Sequence, residues 1–279
     1  MPEGDTIFRS ARSLSRALAG HVVTRFDTQF AHLSVVHDQS PVTGRVVEAV
    51  EAHGKHLLIR FSGDLILRTH MRMHGNWHLY RPGERWRQSR LNARVVIETA
   101  NSVAVAFDVP DAEFLTRTAL DAHRVLSSLG PDLLAGAPDI GEAQTRLRHE
   151  PDLPIAEALL RQDLVAGLGN VYKSELLYIA RLHPDTPVRA ISSDALTTIL
   201  RTAVKLMRLN VSESALAGAG ATRNTTGRMN PRERVWVYRR TGKPCLTCGT
   251  PIRTRRERDS RTTYWCPGCQ RGATSAAFA

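Results

Sequence analysis

Two clusters in this 279-residue sequence carry side chains whose types and spacing could do chemistry. The first is the start, Met1-Pro2-Glu3-Gly4-Asp5-Thr6. A small second residue predicts removal of the initiator methionine, which would leave Pro2 as a terminal secondary amine. An α-amino group titrates at about 7.7–8.0, against about 10.4 for lysine, so an appreciable fraction is neutral and nucleophilic near pH 7 without burial. A secondary amine attacking a sugar C1′ gives an iminium that keeps its positive charge, and that charge acidifies the neighbouring C2′ hydrogen. Glu3 can protonate the ring oxygen as the sugar opens and exchange protons afterwards. Taken alone, Met-Pro-Glu is equally an ordinary lead-in to a helix.

The second cluster holds all four cysteines, Cys245-Leu-Thr-Cys248 and Cys266-Pro-Gly-Cys269, with 17 residues between the pairs. Two C-x-x-C knuckles at this spacing fit a tetrahedral four-thiolate zinc site with no open position for water. The expectation is one structural Zn2+ that staples a hairpin too small to hold a core of its own. The other readings are unmetallated buried cysteines or redox pairs, but redox C-x-x-C sites usually come singly on a βαβ unit. From Arg232 to the end, eleven basic residues face three acidic ones, so +8 of the chain's +11 surrounds the cysteines. Such a finger can face DNA, bind protein, or only fold a terminus.

That charge favours a polyanionic partner. The N-terminus lacks a basic-then-apolar signal pattern, and no stretch approaches the roughly 20 apolar residues that span a bilayer. The expectation is a cytoplasmic, nucleoid-associated protein with a nucleic-acid partner, no membrane contact and no small-molecule cofactor.

The elements that must position these residues follow from periodicity. Asp5 and Thr6 can cap a helix whose buried face is Ile7, Ala11, Leu14 and Leu18, ending at Gly20. From Val22 to about Phe114 the pattern turns to short strand-like runs, notably His56–Phe61, Leu65–Thr69, Arg94–Glu98 and Val103–Phe107, which predicts an antiparallel sandwich or barrel. Gly130–Pro154 reads as a connector with one helix near Gly141–His149. Helices are expected over Ile155–Arg161 and Val171–Leu182, and from a Ser192-Ser193-Asp194 cap to about Leu209, with a mobile loop over Gly218–Asn230.

Four motifs now stand in order: Met-Pro-Glu-Gly, His53-Gly54-Lys55-His56, Gly167-Leu168-Gly169-Asn170-Val171-Tyr172, and Arg261 followed by Tyr264-Trp265-Cys266-Pro267-Gly268-Cys269-Gln270. In this order the chain resembles the formamidopyrimidine-DNA glycosylase/endonuclease VIII family over nearly its whole length, most of all endonuclease VIII. The resemblance implies an α+β multi-domain fold. Its parts would be an N-terminal β-sandwich with a leading helix (1–130), a connector (131–153), a helix-two-turn-helix domain (154–231), a zinc-finger hairpin (232–272) and a tail (273–279). It also implies a monomeric bifunctional DNA glycosylase/AP lyase of base excision repair, acting on damaged duplex or single-stranded DNA by β/δ-elimination.

By the same resemblance Pro2 is the Schiff-base nucleophile and Glu3 the proton donor. Lys55 contacts a phosphate beside the lesion and serves β-elimination, and Arg261 binds the lesion phosphate and assists δ-elimination. Asn170 holds a phosphate at a helix N-terminus, where it can equally act as a helix cap. Arg72, Met73 and His74 match the three residues that fill the void left by an extruded base, although an alternating strand end with core methionines would look the same. The formamidopyrimidine branch carries an Arg and a Phe on a later loop; this chain has Phe107-Asp-Val-Pro-Asp-Ala-Glu-Phe114 there, which favours oxidised pyrimidines as substrates. Asp5-Thr6 replaces the family's usual Pro-Glu. Ser128 stands where an arginine is expected, with Arg124 one helical turn earlier as a substitute. Two alternatives stay open: a catalytically idle member that only binds DNA, and an unrelated zinc-ribbon nucleic-acid protein.

Overall fold

The computed structural model describes residues 2–212, 223–257 and 260–271, so the 273–279 tail and the first part of the Gly218–Asn230 loop lie outside the described residues. The chain divides into two compact units, Met1–Ser128 and Leu129–Ala279.

The first unit opens with α1 (Gly4–Leu18), whose buried stripe is the predicted Ile7, Ala11, Leu14 and Leu18. The helix begins ahead of Asp5-Thr6, with Glu3 as its N-cap, and ends before Gly20 at φ +81°. Eight strands follow: β1 (Val23–Thr28), β2 (Val47–His53), β3 (His56–Phe61), β4 (Leu65–His70), β5 (Asn76–Tyr80), β6 (Ala93–Thr99), β7 (Val103–Phe107) and β8 (Asp111–Leu115). They form two antiparallel four-stranded sheets, β1-β6-β7-β5 and β2-β3-β4-β8. Leu57, Ile59, Phe61 and Leu67 of one sheet share a core with Val95, Ile97, Ala104 and Ala106 of the other, giving a β-sandwich.

The outer face of β7 is buried as well. Val103, Val105 and Phe107 cluster with Tyr80 and Val96, and Trp86 packs against them. The sequence pattern did not foresee α2 (Ala31–Gln39), which buries only Leu33, nor the short α3 (Arg117–Asp121) and α4 (Arg124–Ser127).

The second unit is helical: α5 (Ile140–Arg148), α6 (Ile155–Ala158), α7 (Asn170–Ile179) and α8 (Ser193–Val211). Asp139 caps α5 and Ser192 caps α8, each accepting from the backbone N–H three residues on. The helix expected over Ile155–Arg161 stops at Ala158 because Leu160 and Arg161 bond three residues back, a tightened turn. Arg181, at φ +59°, ends α7, and Leu182 N–H closes on the Leu177 carbonyl at 3.0 Å. The described part of the loop expected to be mobile is tied down: Asn224 Oδ1 accepts from Gly227 N at 2.8 Å, and Asn210 Oδ1 accepts from Asn224 N at 2.8 Å. A hairpin of β9 (Arg253–Arg256) and β10 (Thr262–Trp265) lies between the cysteine pairs. Among the described residues, no helix is long and apolar enough to cross a membrane.

Candidate active site and nucleic-acid interface

In the first unit, Glu3 is fully buried, and its carbonyl accepts from Thr6 and Ile7 N–H at 2.8 and 3.1 Å. Its position is therefore fixed by the first turn of α1. Pro2 precedes it, half-buried. Asp5 is also fully buried and accepts from the Thr6 N–H at 2.8 Å.

Lys55 sits in the two-residue turn that joins β2 to β3, where Gly54 takes φ +58°, the left-handed conformation such tight hairpins require. Strand register then lines up one rim of the sheet: His53 pairs with His56, His56 with His70, and His70 with Asp111. The rings of His56 and His70 are 4.7 Å apart. Arg68 Nη1 donates to His56 Nδ1 at 2.8 Å, which places the His56 hydrogen on Nε2, since a guanidinium cannot accept. Burial first, and then the charges of His70 and Arg68, push His56 down to about 2. Burial, followed by the charge of Arg72, lowers His70 to about 4 against the opposing pull of Asp111. Both imidazoles are neutral near pH 7. Behind them Glu113 receives Arg68 Nε and lies 2.9 Å from His123 Nε2.

The loop after His70 carries the three residues expected to fill a DNA void. Met71 is buried, whereas Met73 is 55% exposed and His74 is exposed, so the core-methionine alternative describes Met71 and not Met73. The Gly75 N–H closes the loop on the Met71 carbonyl at 2.9 Å; a Cβ at Gly75 would lie 2.7 Å from that oxygen. Arg72 adopts φ +48°, and its Nε donates to Asp111 Oδ2 at 2.6 Å. Sequence reasoning missed Asp111, which lies 39 residues from its partner.

In the second unit Asn170 is the first residue of α7, with Gly169 as N-cap, and no side chain caps this helix. The Asn170 side chain is buried instead against the hairpin. Its Nδ2 donates to the Thr262 carbonyl at 2.8 Å, and its Oδ1 is buried with no hydrogen-bond partner. Arg261 immediately precedes Thr262. It lines a cavity of about 560 Å³ together with Lys173, Arg255, Asp185 and Thr263.

Lys173 is fully buried and donates to Thr263 Oγ1 at 2.7 Å; nothing marks it in the sequence beyond a lysine within an apolar helix. Arg255 forks onto Asp185 with bonds of 2.7 and 2.6 Å, which holds the Asp185 carboxyl below its usual range. Glu175 is fully buried and accepts from the backbone N–H groups of Trp236, Val237 and Tyr238 at 2.7, 2.9 and 2.9 Å, and from the Thr225 hydroxyl. Burial pushes its carboxyl up, against the pull of these donors.

The four cysteine sulfurs lie within 4.8 Å of one another, with pairs at 3.8, 3.4 and 3.5 Å. Tetrahedral thiolates bound at about 2.3 Å stand about 3.8 Å apart, so these four residues could hold a metal ion. The Tyr178 hydroxyl reaches the Cys245 sulfur at 3.2 Å and Thr247 Oγ1 at 2.7 Å.

A β-sandwich, a helical unit and a four-cysteine hairpin define the class of a DNA-repair glycosylase fold. The structure superposes on Lactococcus lactis Fpg (MutM) in complex with an N7-benzyl-Fapy-dG containing DNA, with a TM-score of 0.80 and 22% identity over 97% of this chain and 100% of that one. A complex of Lactococcus lactis Fpg with abasic-site DNA gives the same TM-score of 0.80, over 96% and 99% of the two chains at 22% identity. At that identity the likeness is one of fold.

The formamidopyrimidine-DNA glycosylase N-terminal domain matches residues 1–110, and the formamidopyrimidine-DNA glycosylase H2TH domain matches residues 129–220. A probable endonuclease 8 2 of Streptomyces coelicolor is 40% identical over 98% of this chain and 95% of its own length. A protein of Mycolicibacterium smegmatis named DNA-(apurinic or apyrimidinic site) lyase Nei2 is 39% identical over 97% and 99%. Endonuclease 8 of Escherichia coli O1:K1 is 34% identical over 97% and 100%. The chain belongs to the formamidopyrimidine-DNA glycosylase/endonuclease VIII family, on the endonuclease VIII side.

Proposed function

We propose that this chain removes oxidised bases from DNA, pyrimidines above all, through a Schiff base on Pro2, and then cuts the strand by successive β- and δ-elimination. It is a DNA glycosylase and DNA-(apurinic or apyrimidinic site) lyase. The observation that carries the assignment is the meeting of Asn170 with the hairpin residue next to Arg261: two residues far apart in sequence, both expected to hold DNA phosphate, share one structural corner.

In the proposed sequence the freed Pro2 nitrogen attacks C1′, the damaged base leaves with its bonding electrons, and Glu3 gives a proton to the ring oxygen as the sugar opens. The resulting iminium makes the C2′ proton acidic. Loss of that proton expels the 3′ phosphate, and a second elimination expels the 5′ phosphate. Lys55 and Arg261 supply charge to the phosphates on either side, Asn170 orients one of them, and water finally releases Pro2. Arg72, Met73 and His74 fill the space the extruded base leaves.

A zinc ion on Cys245, Cys248, Cys266 and Cys269 would be structural; no step passes through it. The enzyme works as a monomer on the nucleoid, with sandwich, helical and finger segments near 1–130, 154–231 and 232–272. The preference for pyrimidines rests on Phe107–Phe114, a stretch with no arginine where the formamidopyrimidine branch has its Arg and Phe loop. Excision across a lesion panel tests it. Oxidised thymine and cytosine should be released faster than 8-oxoguanine, with both elimination products present; preferential release of 8-oxoguanine, or nicks bearing only the β-product, would contradict it.

A further inference from the structure

The loop between β5 and β6, residues 81–92, is a strongly basic stretch of the first unit that the proposed chemistry leaves unused. It carries Arg81, Arg85, Arg87 and Arg90 against a single acid, Glu84, whose carboxylate accepts from the backbone N–H of Arg81 at 2.9 Å.

This loop is clamped to the sheet. Trp86 lies over Tyr80 with ring centres 6.2 Å apart, and edge-on to Phe107 at 5.8 Å. Arg87 N–H donates to the Tyr80 hydroxyl at 3.1 Å, Gln88 Nε2 to Asn76 Oδ1 at 3.2 Å, and Asp108 N–H to the Asn92 carbonyl at 2.9 Å. The Arg90 guanidinium sits 4.9 Å above the Trp86 ring. Arg85, Arg87 and Arg90 are exposed around a concavity of about 340 Å³ formed by residues 85–90 alone. Among the described residues no carboxylate pairs with these three, whereas Arg25, Arg60, Arg68 and Arg72 of the same unit each face one.

Strand register locates the loop. It leaves β5 at Tyr80, opposite Val103, and crosses back to Ala93, which like Asn76 pairs with Phe107; Gln88 touches Asn76, which directly follows Gly75 of the void-filling loop. Three exposed guanidiniums without a carboxylate partner, on a clamped segment whose later part reaches Asn76, offer the forked donors with which arginine binds phosphate. We infer that Arg85, Arg87 and Arg90 form a second backbone-gripping surface that holds two to three phosphates of the DNA flanking the lesion. The inference rests on DNA being the substrate, as proposed above, but not on the identity of the nucleophile.

The test is the salt dependence of binding to a long duplex containing a tetrahydrofuran abasic analogue, for the wild type and for the triple variant Arg85→Gln/Arg87→Gln/Arg90→Gln. Each lost phosphate contact lowers the slope of log K against log salt by about 0.9, so the variant's slope should be shallower by roughly 2 and its affinity deficit should shrink about a hundredfold per decade of added salt. The deficit should be smaller on a duplex truncated close to the lesion. The single variant Arg87→Gln, with a shallower slope by about 1, gives the same reading if the triple variant melts early. Equal slopes for folded variant and wild type would overturn the inference, whether the loop then binds an acidic protein or only water. Borohydride trapping of the wild type is a separate readout. Its absence would count against the Pro2 chemistry while the salt slopes still report on this surface.

Discussion

Asn170 Nδ2 donates to the carbonyl of Thr262 at 2.8 Å, one residue beyond Arg261. This bond is the first of a series along α7. Lys173 reaches Thr263, Glu175 gathers the backbone of 236–238, and Tyr178 reaches the Cys245 sulfur. A single helix thus holds the finger hairpin at Thr262 and Thr263, at the segment leading into the finger and at the cysteine cluster.

Glu175 should matter most to stability, because its removal leaves the buried Val237 N–H and the part-buried N–H groups of Trp236 and Tyr238 without their acceptor. At about 1–3 kcal/mol for a buried unsatisfied group, Glu175→Ala should cost at least about 1 kcal/mol, seen as early melting of the second unit. A loss below about 1 kcal/mol would mean that water replaces the carboxylate.

The buried histidines set an acid limit. Their ordinary value is 6.5, and folding lowers His56 to about 2 and His70 to about 4, so below pH 6.5 the unfolded chain binds protons that the folded chain refuses. The stability they contribute is complete above pH 6.5 and declines as pH falls towards 4, by up to about 1.4 kcal/mol per pH unit for each histidine. Denaturant melts of wild type and His56→Gln between pH 4 and 7.5 should show the shallower decline in the variant.

Asp111 should act on the loop that carries Arg72 and little on stability. Its ion pair with Arg72 is largely exposed, so Asp111→Asn should change the melting free energy by less than about 1 kcal/mol. Releasing Arg72 should slow excision from duplex DNA about fivefold or more, with a smaller effect on single-stranded abasic DNA, where there is no void to fill. Equal losses on both substrates would remove Asp111 from this role.

Metal analysis should find one zinc per chain. Chelation should unfold the Cys245–Cys269 hairpin and abolish strand cleavage, while the β-sheet circular dichroism of the sandwich persists. A zinc content far from one would contradict the four-thiolate site.

What the sequence disclosed, and what it hid, divides along the range of the interactions. The Ile7–Leu18 stripe, the Gly54-Lys55 turn, the Ser192 cap and the cysteine knuckles are local patterns, and the structure realises each. Helix α2 escaped notice because Leu33 alone is buried, so no periodic stripe marks it. The Arg72–Asp111, Lys173–Thr263 and Gln88–Asn76 contacts have no periodic signature, since folding alone brings their partners together. The burial of Val105 and Phe107 on the outer face depends on Trp86, a loop residue whose place over Tyr80 no alternation predicts.

The proposed nucleophile is the terminal amine of Pro2, freed of Met1. Borohydride reduction of the enzyme on abasic-site DNA, with the adduct mapped by mass spectrometry, identifies the attacking nitrogen. A single DNA-linked peptide beginning at Pro2 is expected, and no adduct when an N-terminal extension blocks that nitrogen or in Pro2→Gly. An undiminished adduct in the blocked protein, or linkage at a lysine such as Lys55, would contradict it.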